Sequence, residues 1–199
     1  MSREKTPEKR QRILAAALKV FAQRGFFNAK VSEVAREAQV ADGTIYLYFK
    51  NKDDLLINLF EDRMEFLIRR LHEEMEREGG SALGRIRRMI LAHLRIAEEW
   101  PDLAEFITVE LRQSAKFVKE YENPKFMEYL KVLRDLIEEG QRDGSVRADL
   151  DARAVARAMF GALDEQLLAL TLTGRARAQE VPRAAEQLGD LFCAGIQPR

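Results

Sequence analysis

Thr44, Tyr46, Tyr48 and Lys52 stand within nine residues, directly behind Asp42 and Gly43. A hydroxyl, two phenols and an ammonium so spaced make no nucleophile–base set. They can hydrogen-bond to base edges or pair with phosphate oxygens. Such groups need a scaffold that presents them together, and residues 31–55 supply one. They read as a short helix, a tight turn, a second short helix and the start of a third. This is helix-turn-helix grammar, in which the second helix enters the DNA major groove.

The local chemistry gives each residue a place. Ser32 is the expected N-cap of the first helix, with Glu33 in its first turn favouring the positive end. Val34, Ala35 and Ala38 form an inward face, and Val40 plugs the turn. Asp42-Gly43 opens the second helix, where Ile45 and Phe49 fall four apart on the buried side. Thr44, Leu47 and Tyr48 are left facing outward. Gly43 and Thr44 occupy the N-terminal end, where base edges are read. Tyr46, Tyr48 and Lys52 are the expected phosphate contacts, which fix register without reading sequence.

The stretch Gly43-Thr44-Ile45-Tyr46-x-Tyr48-Phe49-x-x-Lys52-x-x-Leu55 resembles the signature of TetR-type transcriptional repressors. The resemblance covers roughly the first 60 residues. Two positions depart from it. Gln39 stands where the family has its turn glycine, and a positive φ there would cost on the order of 1 kcal/mol. Ala41 replaces the serine cap of the recognition helix, so Asp42 is expected to cap it. The alternative, a helical hairpin used only for packing, fits poorly, because Tyr-x-Tyr beside lysines is poor core material.

Net charge is zero but uneven. Residues 1–52 carry 11 Lys/Arg against 5 Asp/Glu, and residues 53–199 carry 22 against 28. A head of +6 on a body of −6 is the footprint of a small DNA-binding domain joined to something else. Residues 1–52 are therefore read as the DNA-binding domain and 53–199 as a ligand-binding and dimerisation domain. At 46% hydrophobic residues the chain can build a core. The single cysteine, Cys193, forbids an intrachain disulfide and suits a reducing compartment. The first residues are charged, unlike a signal peptide, and the most apolar stretch, 158–172, is broken by Asp164 and Glu165. A cytoplasmic protein away from the membrane is expected.

Periodicity is helical nearly throughout, so the fold expected is all-α with about nine helices. Thr6-Pro7-Glu8 opens the first, and Gly25 ends it. Asn51 caps a long fourth helix, about 52–77, that carries the head into the body. Further helices are expected at about 82–99, 102–117, 124–140, 151–173 and 181–195. The last two are apolar on arcs too wide for a monomer's surface. Paired with their symmetry mates they would form a four-helix dimer seam, and readers of this type need dimers for a palindromic operator. The other account is ordinary monomer core.

No catalytic constellation is visible, so no enzyme and no cofactor are expected. His72 and His93 are far apart and lack cysteine partners at metal spacing. His93 reads as a core or pocket histidine. Phe106, Phe126, Tyr129 and Phe160 belong to several helices and could line an apolar pocket; a filled core fits them equally.

Resemblance weights that choice. Residues 40–52, then Glu110-Leu111-Arg112-Gln113-Ser114, then Phe160-Gly161-Ala162-Leu163-Asp164-Glu165 together look like the TetR-type repressors of fatty-acid degradation. That resemblance implies release from DNA by long-chain acyl-CoA. Such an effector needs a long apolar slot with Arg or Lys at its mouth. Arg112 is the first candidate, with Arg85, Arg87 and Arg88 behind it; a structural ion pair is the other role open to Arg112. Two rivals remain. One is the same repressor answering to another amphipathic compound, such as a drug, which a pocket without arginines would favour. The other is a helical acyl-CoA or lipid carrier with no DNA role, against which the +6 head argues.

Overall fold

The computed structural model describes residues 6–77, 79–109, 111, 122–173 and 179–198. Among these it is all-helical: α1 (Pro7–Arg24), α2 (Val31–Glu37), α3 (Asp42–Tyr48), α4 (Lys52–Glu76), α5 (Ala82–Leu94), α6 (Ile96–Glu99), α7 (Pro101–Thr108), α8 (Pro124–Asp143), α9 (Ala152–Leu172) and α10 (Glu180–Ile196). The chain divides into two compact units, Met1–Arg63 with Asp102–Glu122, and Met64–Pro101 with Asn123–Arg199.

Local chemistry explains several helix starts. Thr6 accepts a hydrogen bond from the Lys9 amide, and Pro7 takes the first position of α1, where its missing N–H costs nothing. Asn51 caps α4 through the Asp54 amide at 2.8 Å. Asn123 caps α8 through the Phe126 amide, and Asp151 caps α9 through the Arg153 amide. Two expected caps fall elsewhere. Ser32 lies inside α2, which starts behind Lys30; there Glu33 reaches back to accept the Lys30 amide at 2.9 Å. Asp42 is the first residue of α3, whose N-cap is Ala41 with no side-chain hydrogen bond. The helix expected over 82–99 is two, α5 and α6, parted at Arg95. The helix expected over 102–117 is described to Thr108.

In the first unit α1 packs on α2, and α2 on α3. Its core is built from Ile13, Leu14, Ala17, Phe21, Val34, Ala35, Ile45, Phe49, Leu55 and Leu59, all essentially inaccessible. In the second, α5 is central and touches α10, α8 and α9, while α8 packs along α9. Gly140 of α8 is required by close approach. A Cβ there would collide with the Val146 Cγ2, and Val146 donates its amide to the Gly140 carbonyl at 2.9 Å. Gly144 ends α8 at φ +79°, a left-handed conformation that suits glycine.

Candidate nucleic-acid interface and effector region

The bend between α2 and α3 sets the presentation of α3. The Val40 amide donates to the Ala35 carbonyl at 2.9 Å and the Gln39 amide to the Arg36 carbonyl at 3.1 Å, with Gln39 at φ +53°. This is a Schellman motif in which glutamine holds the left-handed position glycine favours. It turns the chain sharply enough for α3 to pack on α2 through Ile45, with Phe49 buried just past its end.

That packing leaves the other face of α3 open. Asp42, Gly43 and Tyr46 are exposed, and Thr44, Leu47 and Tyr48 are half-buried. Tyr46 is 57% exposed. The Tyr48 hydroxyl accepts the Thr6 amide at 2.9 Å, tying the start of α1 to the end of α3 and leaving its own proton to donate. Ser32 is exposed on α2. Lys52 is half-buried: its ammonium donates to the Phe27 carbonyl at 3.1 Å and sits 4.6 Å from the Phe26 ring centre. Burial lowers its pKa, and two of its three protons stay available.

Three ties were invisible to periodicity. Arg10 donates to Asn58 at 2.9 Å and Gln11 to Asp62 at 2.8 Å, joining α1 to the first half of α4. Lys19 pairs with Glu37 at 2.7 Å, joining α1 to α2. The partners lie 18 to 51 residues apart, so no local pattern signals them.

The candidate effector residues do not all converge. Phe126, Tyr129 and Phe160 come together on the α8–α9 seam: Phe160 meets Phe126 edge-on at 4.7 Å and Tyr129 at 5.6 Å. The Tyr129 hydroxyl lies 2.9 Å from Nδ1 of His93 on α5, and both side chains are buried. Burial pushes the His93 pKa down to about 4; burial and the nearby Asp164 carboxylate push Tyr129 up. His93 is thus neutral, and in either tautomer its Nε2 has no partner. Phe106 is buried in the other unit. Arg112 lies outside the described residues.

Arg88 turns away from the aromatic trio. It is five residues before His93, about 140° around α5. Its guanidinium donates to the carbonyls of Met75, at 3.0 Å, and Gly79. It borders a cavity of about 50 Å³ between α4, α5 and α6, with Arg70, Arg95 and Trp100. That space suits a few waters, not an acyl chain. Arg85 and Arg87 are held by Glu139 and Asp190. Among the described residues no three His, Cys, Asp or Glu side chains gather as metal ligands, and no helix is long and apolar enough to cross a membrane.

Comparison with known proteins agrees with this layout. Residues 13–59 match the model of bacterial regulatory proteins of the tetR family, and residues 60–190 match that of the YsiA-like protein C-terminal region. A fatty acid metabolism regulator protein of Bacillus subtilis is 37% identical over 82% of this chain and 83% of its own. The structure of the transcriptional regulator FadR from Bacillus subtilis, in complex with stearoyl-CoA, superposes with a TM-score of 0.85 at 32% identity, covering 94% of this chain and 99% of that one. The fatty acid degradation regulator FadR from Bacillus halodurans superposes at 0.87 with 31% identity, covering 98% and 100%.

Proposed function

The chain belongs to the TetR family of bacterial regulatory proteins, and from that premise we propose that it is a repressor of fatty-acid-degradation genes released from DNA by long-chain acyl-CoA. It acts as a cytoplasmic homodimer on a palindromic operator, and catalysis has no part in the reading. Residues 1–52 bind DNA, and residues 53–199 bind the effector and dimerise. The observation that carries the reading is the match, along nearly the whole of both chains, to a regulator holding stearoyl-CoA.

The chemistry is consistent with that role. Gly43 and Thr44 at the start of α3 read base edges; Tyr46, Tyr48 and Lys52 fix the register on phosphates. Repression ends when the effector prefers a conformation whose recognition helices no longer fit the half-site spacing. Moving a two-state equilibrium from 1:99 to 99:1 takes about 5.5 kcal/mol of differential affinity. At about 0.8 kcal/mol per buried methylene, the eight methylenes separating octanoyl from palmitoyl are worth roughly 6 kcal/mol. Long chains can therefore switch the protein where short ones fail.

The test is release of a labelled duplex that the protein has itself selected from random sequence. Palmitoyl-CoA should release it at micromolar levels or below, with octanoyl-CoA, free CoA and palmitate far weaker. Failure of every acyl-CoA would leave only the DNA-binding half. Lys52→Ala should weaken all duplexes alike, whereas Thr44→Ala should also relax preference at one base position.

A further inference from the structure

A second set of cations gathers on the seam that holds the aromatic trio. A groove of about 360 Å³ runs between α8 and α9, with Met127, Leu130 and Ala156 as its apolar lining and Lys131, Arg134, Arg153 and Arg157 as its charged one. The helices are antiparallel here: from this groove, four residues back along α8 and four forward along α9 lead to the Phe126–Phe160 contact. The basic groove and the aromatic trio are thus one turn apart on the same two helices.

The cations are unequal. Lys131 pairs with Asp135, and Arg134 reaches Asp135 at 3.2 Å and Glu138 at 3.3 Å. Arg153 and Arg157 are exposed, and among the described residues no carboxylate forms an ion pair with either. Helix stability does not call for them. Like charges at i and i+4 repel, and Arg153 is in the first turn of α9, where the macrodipole disfavours a cation. Two guanidiniums that meet no described carboxylate, beside an apolar lining, instead match a ligand with an anionic head and a hydrocarbon remainder. Guanidinium binds phosphate oxygens two at a time, and Met127, 51% exposed, gives an adaptable apolar contact.

We propose that this groove receives the phosphates of the effector, with Arg153 and Arg157 as the phosphate-binding residues and the Phe126–Tyr129–Phe160 trio marking where the acyl chain enters. The proposal rests on the reading that the effector is an acyl-CoA, and places its phosphate rim on α9 in place of Arg85, Arg87 and Arg88, Arg112 lying outside the described residues.

The Arg153→Gln/Arg157→Gln double variant tests it, against Arg183→Gln, an exposed arginine on α10, as control. Free CoA and palmitoyl-CoA are titrated calorimetrically into the full-length protein, operator release is followed in parallel, and sedimentation reports the assembly. The double variant should keep its dimer and operator affinity, bind free CoA at least tenfold more weakly, and need at least tenfold more palmitoyl-CoA for release. Palmitate should act on it as on the wild type. Equal CoA binding by variant and wild type would overturn the proposal, as would wild type that binds no CoA. So would a monomeric variant, which would make the arginines part of an interface between copies. If acyl-CoA fails to release the wild type while CoA binding still depends on these arginines, the proposed repressor function falls and the groove stands.

Discussion

His93 makes acid a probe of the body's interior. Its ring is buried, and burial holds its pKa at about 4 against an ordinary value of 6.5. The unfolded chain therefore takes up a proton below pH 6.5 that the folded chain refuses until about pH 4. By linkage, folding stability falls as pH drops through that window and levels off below it. At pH 5 the loss relative to pH 8 is about 2 kcal/mol, and the full gap corresponds to about 3 kcal/mol. His93→Gln removes the titration while keeping a polar side chain beside Tyr129. Urea midpoints for both proteins, at one fixed protein concentration because dimerisation couples to unfolding, should diverge between pH 8 and pH 4.5. Wild type should lose about 2 to 3 kcal/mol more than the variant over that range. His72 is exposed and common to both, so it cancels. Parallel loss in the two proteins would refute the argument, because His93 would then be reaching solvent or an acceptor able to stabilise its charged form.

Three further substitutions probe the frame. Gln39→Gly should stabilise the protein by roughly 0.5 kcal/mol in thermal unfolding, since relief of the left-handed strain exceeds the entropy glycine adds to the unfolded chain; destabilisation would mean that the glutamine side chain supports the turn. Gly140→Ala should cost about 1 kcal/mol, overpacking against Val146 outweighing the gain in helix propensity, and the cost should shrink in a Val146→Ala background, where only the Cβ atoms of residue 146 and Ala82 still crowd the new methyl. Leu191 on α10 is 66% exposed in the single chain, so Leu191→Glu should leave the protomer folded by circular dichroism. It should nevertheless shift sedimentation towards monomer, because a carboxylate buried in the proposed seam costs several kcal/mol; an intact dimer would place the interface elsewhere.

The recognition unit was legible because its determinants are local. Ile45 and Phe49 are set by residues within a few positions of one another, and the positive φ at Gln39 is what the resemblance to a family with glycine there implies. The error at Ser32 has the same local origin. Scanning for an acceptor at the N-cap finds Ser32, but α2 starts behind Lys30 and only the Glu33 half of the capping box is made. One carboxylate reaching back one turn moved the start of the helix.

The effector region was illegible for a different reason. Arg85, Arg87 and Arg88 look in sequence like a basic rim, yet each is committed to a distant or backbone partner: Glu139, Asp190, and the Met75 and Gly79 carbonyls. Two of those partners are 54 and 103 residues away, beyond any periodic signal. The reverse holds for Arg153 and Arg157. In sequence they are two more charges on an amphipathic helix, and the other two cations of their groove, Lys131 and Arg134, stand on another. Periodicity tells which residues share a face, not which faces meet. A cation's function depends on the second fact, because the facing helix decides whether it meets a carboxylate that neutralises it or an opening that an anion can enter. Arg85, held by Glu139 of α8, and Arg157, which meets no carboxylate among the described residues, are the two outcomes of that choice within one chain.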